Sequence, residues 1–373
     1  MSNDWSPSSW QNFNITQQPN YNEQDKLSEV LSKLSTKQGL CTFNDIAILR
    51  TILAEFGKND FIIQLGDCAE PILEDPKEYA LCLYKLYEQA TALSPHKNII
   101  KIPRIAGQFA KPRTNEYIEL EGKLILSYRG DLINTHGVDE QFRLPNPKNL
   151  LNGYDHINKI RSLNLNWFYA HEALHLQFEQ NLIRQEHNLS YASSSELIWI
   201  GNKTRFMDSA HIEFARGVIN PVGIKIDSTI SAEEIDYLVN TLNPSNLKGK
   251  ILFIMRLGLE NIELHLPRIF QHCLQQKHNL LYLVDPMHGN TKYIKSNQKY
   301  RLMAEIYQET EVFFKIASQL NIQVSGIHLE STYQNVYECI DNISQNQDYH
   351  SMCDPRLNSN QTLNLLTFLN KFN

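Results

Sequence analysis

The stretch Phe61-Ile62-Ile63-Gln64-Leu65, followed at once by Gly66-Asp67-Cys68-Ala69-Glu70, sets the reading of the whole chain. A β-prone, mostly apolar run stops at a glycine and gives way to polar and reactive side chains. Near-continuous apolar runs suit strands buried on both faces of a parallel sheet. The same pairing recurs along the sequence. Ile99–Ile102 leads to Arg104 and then Gly107–Arg113, and Leu165–Tyr169 leads to His171-Glu172. Leu197–Ile200 leads to Gly201–Arg205; Val222–Ile226 contains Lys225; Ile251–Met255 runs into Arg256. Leu280–Val284 precedes Asp285–Asn290, and Ile322–Ile327 precedes His328-Leu329-Glu330. Eight runs, each followed by helix-length sequence, predict an α/β fold, a (β/α)8 TIM barrel, with an open doubly wound sheet as the other arrangement. Leu124–Tyr128 is a ninth β-like run, assigned to the long connection after the second strand.

Outward from these runs, residues 56–373 form the expected barrel, and residues 1–55 a short N-terminal extension that packs on it or on a partner subunit. Within the extension, Leu27, Val30, Leu31 and Leu34 recur at helical spacing over Asp25–Leu34. Apolar residues make up 42% and charged residues 20% of the 373, which excludes disordered and fibrous classes. Lys plus Arg number 35 against 41 Asp plus Glu, a net charge of −6 that argues against a nucleic-acid-holding protein. No apolar run approaches the roughly 20 residues a bilayer span needs. The start, Met1-Ser2-Asn3-Asp4-Trp5, lacks the basic and apolar parts of a secretory signal. Six cysteines are too sparse for a disulfide scaffold. The expectation is a soluble cytoplasmic protein without membrane or nucleic-acid partners.

In a (β/α)8 barrel the carboxyl ends of all strands converge on one mouth. The polar clusters after the runs therefore gather around one cavity. Arg104, Lys111, Arg113, Lys203, Arg205, Lys225 and Arg256 would repel one another without anionic ligands, so phosphate and carboxylate groups are the expected substrate features. Cys68, His288, Glu330 and Asp354 are candidate metal ligands by chemical type: a thiolate, an imidazole and two carboxylates suit a divalent transition ion such as Mn, Co, Fe or Zn. Spacing alone does not select these four, and Cys68 read without context is a small buried hydrophobe. Cys353, beside Asp354, approaches Cys68 if the chain closes as expected.

A competing motif is His171-Glu172-Ala173-Leu174-His175, which fits the HExxH pattern of zinc peptidases. That chemistry needs both histidines on one face of a helix and a third ligand, for which Glu186 or Glu196 would have to serve.

Taken together, the quoted strings resemble the type II (plant-type) 3-deoxy-D-arabino-heptulosonate 7-phosphate (DAHP) synthases. The likeness runs from Gln17–Tyr21 through Gln64–Glu70, Arg104–Arg113, Tyr128–Asp131, His171–Leu174 and Trp199–Arg205. It continues through Asn220–Lys225, Arg256–Gly258, Asp285–Thr291, His328–Glu330 and Cys353–Asn358. The resemblance implies a (β/α)8 enzyme that condenses phosphoenolpyruvate with erythrose 4-phosphate, the first step of the shikimate pathway. It also implies a divalent ion, Mn or Co before Fe or Zn, held by Cys68, His288, Glu330 and Asp354. Arg104, Lys203, Lys225 and Arg256, with Asn202 and Trp199 nearby, would take phosphoenolpyruvate. Lys111, Arg113 and Thr114 would face the sugar phosphate. Arg104, Lys111, Lys225 and Glu172 are the implied catalytic set, with Glu172, His288 and Lys111 as candidates for activating water. A homo-oligomer, a dimer first, is the implied assembly.

The chain departs from the family pattern in places. Asn202-Lys203 stands where an acidic residue and Arg are usual, so a carboxylate is lost and a forked donor becomes a point charge. Gln64-Leu65-Gly66 replaces Gln-Gly-Gly, and Glu330-Ser331-Thr332-Tyr333 replaces Glu-Leu/Ile-Thr-Gly. An altered substrate, or a non-catalytic metabolite-binding relative, is the alternative these changes raise. The chain is shorter than many members, chiefly where regulatory segments lie. Weak feedback by Phe, Tyr and Trp and a role in a secondary-metabolite pathway are therefore expected.

Overall fold

The computed structural model describes residues 5–120, 122–294, 298–343, 349–351 and 353–372; the Met1–Asp4 part of the start lies outside them. Eight parallel strands form one curled sheet. They are β1 (Asp60–Gly66), β2 (Asn98–Lys101), β3 (Ala170–Glu172), β4 (Leu197–Ile200), β5 (Val222–Ile226), β6 (Ile251–Met255), β7 (Leu280–Val284) and β8 (Gly326–Glu330). Their order in space is β2-β1-β8-β7-β6-β5-β4-β3, chain order around a ring opened between β2 and β3. Backbone hydrogen bonds join the two ends: Phe168 N–H donates to Lys101 O and Ala170 N–H to Pro103 O, both at 3.0 Å. The architecture is the (β/α)8 barrel.

Besides the single turn Glu140–Arg143, the α-helices among the described residues are α1 (Gln24–Ser35), α2 (Phe43–Ala54), α3 (Lys77–Ala92), α4 (Lys148–Arg161), α5 (Leu176–Asn181), α6 (Ala210–Arg216), α7 (Ala232–Leu242), α8 (Leu259–Gln275), α9 (Met303–Gln319) and α10 (Ser359–Leu369). Their apolar stripes pack against the outward strand residues, such as Ile63, Ile198, Ile224, Phe253, Tyr282 and Ile327, in one large core. A second core fills the barrel, from Ile62, Ile100, Leu197, Leu252 and Leu281 to Trp199. Leu49 and Leu53 of α2, with Phe56, belong to that inner core, so α2 stoppers the end where the strands begin. A capping box between Thr42 and Asp45 starts α2: Asp45 N–H donates to Thr42 Oγ1 and Thr42 N–H to Asp45 Oδ2. The α1 helix covers the expected Asp25–Leu34 segment and packs on α4 and α5.

Six of the eight expected strands form where the apolar runs lie. Two are displaced toward the carboxyl side. The third strand is Ala170–Glu172, not Leu165–Tyr169, and the last is Gly326–Glu330, not Ile322–Ile327. Both carry inward-facing polar side chains, Glu172 in the one and His328 and Glu330 in the other, and His171 faces outward onto Glu179 of α5 at 2.7 Å, so an apolar run does not mark them. The ninth run forms Lys123–Leu126, paired antiparallel with Tyr117–Leu120 between β2 and β3. No helix among the described residues is long and apolar enough to cross a membrane.

Candidate active site

The register of β1 against β8 pairs Gly66 with Glu330, which sets the loop carrying Cys68 beside the Glu330 carboxylate. Glu330 is wholly buried and is the meeting point of the mouth. Its Oε1 lies 2.9 Å from His288 Nε2, 3.4 Å from Lys111 Nζ and 3.4 Å from Arg104 Nη2, and its Oε2 accepts from Arg301 Nη1 at 2.7 Å. Burial disfavours its charge, but His288, Lys111 and Arg301 together hold its pKa well below the usual carboxylate value.

Asp354 reaches the same spot from the loop before α10. Its Oδ2 is 3.4 Å from Cys68 Sγ and 3.5 Å from Lys111 Nζ, while Oδ1 accepts from Lys299 Nζ at 2.6 Å. Ligand atoms of Cys68, Glu330 and Asp354 all lie within 4.8 Å of one another. His288 joins through Glu330, and its other ring nitrogen, Nδ1, lies 2.7 Å from Asp285 Oδ2. With a proton on Nδ1 for Asp285, the neutral ring turns its Nε2 lone pair toward a carboxylate oxygen 2.9 Å away. Burial pushes the His288 pKa down against the pull of Asp285 and Glu330, so a cation entering here can take the place of the Nε2 proton. Two facing acceptors require a cation or a proton between them. Burial, the adjacent Cys353 thiol and Glu330 push the Cys68 thiol up, so a cation entering here displaces its proton. The donor set of one sulfur, one nitrogen and two carboxylates thus fits a divalent transition ion.

The cations line the rest of the mouth. Arg104 is buried over the Trp199 ring, 5.5 Å from its centroid, and its Nη1 meets His328 Nε2 at 2.9 Å. His328 in turn lies 2.7 Å from Gln64 Oε1 through Nδ1, which fixes the ring. Lys225 in β5 donates to Asp285 Oδ2 at 2.6 Å, yet burial lowers its pKa to about 7 against that partner. Arg256 Nη2 donates to His288 O at 3.1 Å. Lys203 Nζ donates to Thr114 Oγ1 at 2.7 Å, joining the two segments whose roles were read separately in the sequence. The Arg113 backbone N–H donates to Gln17 Oε1 at 2.8 Å, which ties that loop to the N-terminal extension. Asn202 turns elsewhere: its Nδ2 donates to Asp227 Oδ2 at 2.6 Å and its Oδ1 accepts from Arg205 Nε at 3.0 Å. Arg205 also bonds Asp227 Oδ1 at 3.0 Å, so this cation is spent on a local network.

Glu172 lies on β3. Its carboxylate presses on Gly201, where an added Cβ would sit 2.0 Å from Oε1, so a side chain there would displace it. Oε1 is buried without a hydrogen-bond partner, and burial raises the pKa against the pull of Lys111, Lys225 and Arg104. The HExxH reading fails on geometry. His171 and Glu172 occupy a strand, while His175 caps α5, accepting from Phe178 N–H at 3.2 Å. His175 is also buried against Tyr21 OH at 2.8 Å, not on a helix surface.

Several residues of the site carry no individual sequence signal. Arg301 and Lys299 come from the strand Lys299–Leu302, outside the barrel. Arg356 donates to Asp67 Oδ1 and Glu338 Oε1, both at 2.8 Å, and so fastens the Asp354 loop to the Cys68 loop. Asp285 and His328 were visible as parts of polar strings but not as ring partners.

Fold and mouth define a (β/α)8 protein that gathers cations around a nest of metal-type donors. A family model described as the class-II DAHP synthetase family matches residues 5–166 and 156–370, and the chain belongs to that family. A phospho-2-dehydro-3-deoxyheptonate aldolase of Streptomyces coelicolor is 29% identical over 95% of this chain and 94% of its own length. One from Neurospora crassa is 28% identical over 97% and 92%, and a probable one from Pseudomonas fluorescens is 29% identical over 93% and 92%.

Proposed function

We propose that this chain condenses phosphoenolpyruvate with erythrose 4-phosphate, giving DAHP and phosphate. The observation that carries the reading is the convergence of Cys68, Glu330 and Asp354 within 4.8 Å, with His288 on Glu330, beside Arg104, Lys111 and Lys225. Membership of the family across the chain supports it. Cys68, His288, Glu330 and Asp354 would hold a divalent ion, Mn or Co before Fe or Zn. Bound there, such an ion supplies Lewis acidity toward a carbonyl oxygen.

The chain's own groups account for the rest. Arg104, Lys203, Lys225 and Arg256 take the phosphate and carboxylate of phosphoenolpyruvate, whose charge offsets the cost of burying cations together. Lys111, Arg113 and Thr114 face the sugar phosphate. Held in line, C3 of phosphoenolpyruvate bonds to the aldehyde carbon. Lys111 stays charged because the carboxylates of Glu330 and Asp354 beside it outweigh the burial that opposes it, and it stabilises the developing alkoxide. Water adds at C2, the C2–O bond to phosphate breaks, and phosphate leaves. Glu172 is the base we assign to that water, since burial keeps its basicity up and Oε1 has no other partner.

Phosphate release by the chelated protein, measured with both substrates and with metals restored one at a time, tests the reading. Release that needs both substrates and a divalent ion supports it; none under any ion sinks it in favour of a non-catalytic binding relative. The Asn202-Lys203 pair gives a finer test. If this pair weakens phosphoenolpyruvate binding, Asn202→Glu with Lys203→Arg lowers the KM for phosphoenolpyruvate; unchanged constants remove that idea.

A further inference from the structure

A second cluster of metal-type donors lies on the outer layer of the barrel. Asp236 of α7, His272 of α8 and His278 of the turn after α8 meet at one point. Both imidazole Nε2 atoms lie 2.8 Å from the same carboxylate oxygen, Asp236 Oδ1. The turn holds this geometry: Lys277 takes φ +56°, and His278 N–H donates back to Cys273 O at 3.0 Å, which returns the second ring to the first. His278 stands two residues before β7 begins, so the cluster lies toward the amino-terminal rim, opposite the mouth.

We propose that Asp236, His272 and His278 form a second divalent-metal site, for a borderline ion of the zinc type. Two nitrogens and a carboxylate oxygen are the donors such ions take. The three ligand atoms lie within 4.8 Å of one another. A tetrahedral zinc with bonds of about 2.0–2.1 Å needs its ligand atoms roughly 3.3 Å apart, so small side-chain adjustments suffice. A hydrogen-bonded tie between α7 and α8 would need one histidine; the second duplicates the first on the same oxygen. The side chains of His272 and His278 are only 16% and 8% exposed, which holds their rings in place, whereas Asp236 is 35% exposed and leaves a path for the ion. Beside them opens a cleft of about 310 Å³, lined by Ala232, Ile235, Arg268, Gln271, His272 and Gln275, with room for a water as fourth ligand. Arg268, the one cation in that lining, spends a guanidinium nitrogen on Ile230 O at 2.8 Å.

The test counts zinc on the chelated, desalted full chain by calorimetric titration. Two equivalents are expected for the native sequence, one for Cys68→Ser, one for His272→Asn with His278→Asn, and none for the three changes together. Asp236→Asn keeps the shape and alters only the ligand's charge. Made in the Cys68→Ser background, it should weaken the remaining equivalent by at least the roughly tenfold that even a supporting partner costs. Cobalt bound to Cys68→Ser should show ligand-field bands without a sulfur charge-transfer band. A single equivalent on the native chain that vanishes with Cys68→Ser, or a count unmoved by the histidine changes, overturns the proposal. DAHP formation is measured separately and should survive the histidine changes, so failure here is distinct from failure of the activity.

Discussion

Glu330 shows how one side chain organises the mouth. A fully buried carboxylate survives there because His288, Arg104, Lys111 and Arg301 surround it. Removing one member of such a set leaves the others uncompensated. Glu330→Gln should therefore destabilise the fold by about 3–5 kcal/mol, read as a lower denaturant midpoint, and abolish tight metal binding at the mouth. A variant as stable as the parent would mean that the carboxylate is not held by its cations. The close approach of Gly258 and Gly289 matters in the same way. Gly258 has φ +82°, and a Cβ on Gly289 would meet Gly258 N at 2.3 Å. Glu309 accepts from Gly258 N–H at 2.9 Å and from Asn290 Nδ2 at 2.5 Å, which locks the Arg256 and His288 loops together. Gly289→Ala should cost about 1–3 kcal/mol of overpacking and shift His288, lowering turnover more than it lowers stability. Activity equal to the parent's would show that the loops tolerate the spread.

Among the elements, α2 and the N-terminal segment do more than extend the chain. Leu53 is wholly buried between the barrel end and the backbone at Gly249. Leu53→Ala should cost about 2–5 kcal/mol in equilibrium unfolding while leaving KM for both substrates unchanged, because the plug lies opposite the mouth. A changed KM with intact stability would reverse that assignment. The segment before α1 is tied to the barrel by two buried histidines. Tyr21 OH meets His175 Nε2 at 2.8 Å, and Gln18 Nε2 lies 3.3 Å from His211 Nε2, which also faces Leu174 O at 3.0 Å. Burial lowers both histidine pKa values to about 4. Unfolded histidines take protons near 6.5. Between about pH 6.5 and 4 the unfolded chain therefore binds more protons, and stability falls as the pH falls through that window. Each histidine contributes up to about 1.4 kcal/mol per pH unit. His175→Gln or His211→Gln should flatten the acid limb of stability against pH; a slope equal to the parent's would show that the buried ring is not the proton acceptor.

For the whole molecule, the barrel fixes where chemistry can occur, and the sequence already carried that. Apolar runs ending in polar strings are legible because a strand buried on both faces has little freedom in composition. The (β/α)8 architecture and the order of the polar strings follow from them, while the family was legible only through the resemblance that those strings carry. The two displaced strands mark where that reading weakens. Ala170–Glu172 and Gly326–Glu330 give their inward positions to functional side chains, so local composition no longer identifies them. Donor type could nominate Cys68, His288, Glu330 and Asp354, but residues 286 apart meet only when the barrel closes. Closure alone revealed that Arg301 and Lys299 neutralise the carboxylates, that Asn202 serves Arg205 and Asp227, and that His175 is a cap. Which elements form is set by contacts near in sequence and by hydrophobic period, both written in the chain. Which charges face each other depends on register and ring closure, and those are properties of the assembled barrel.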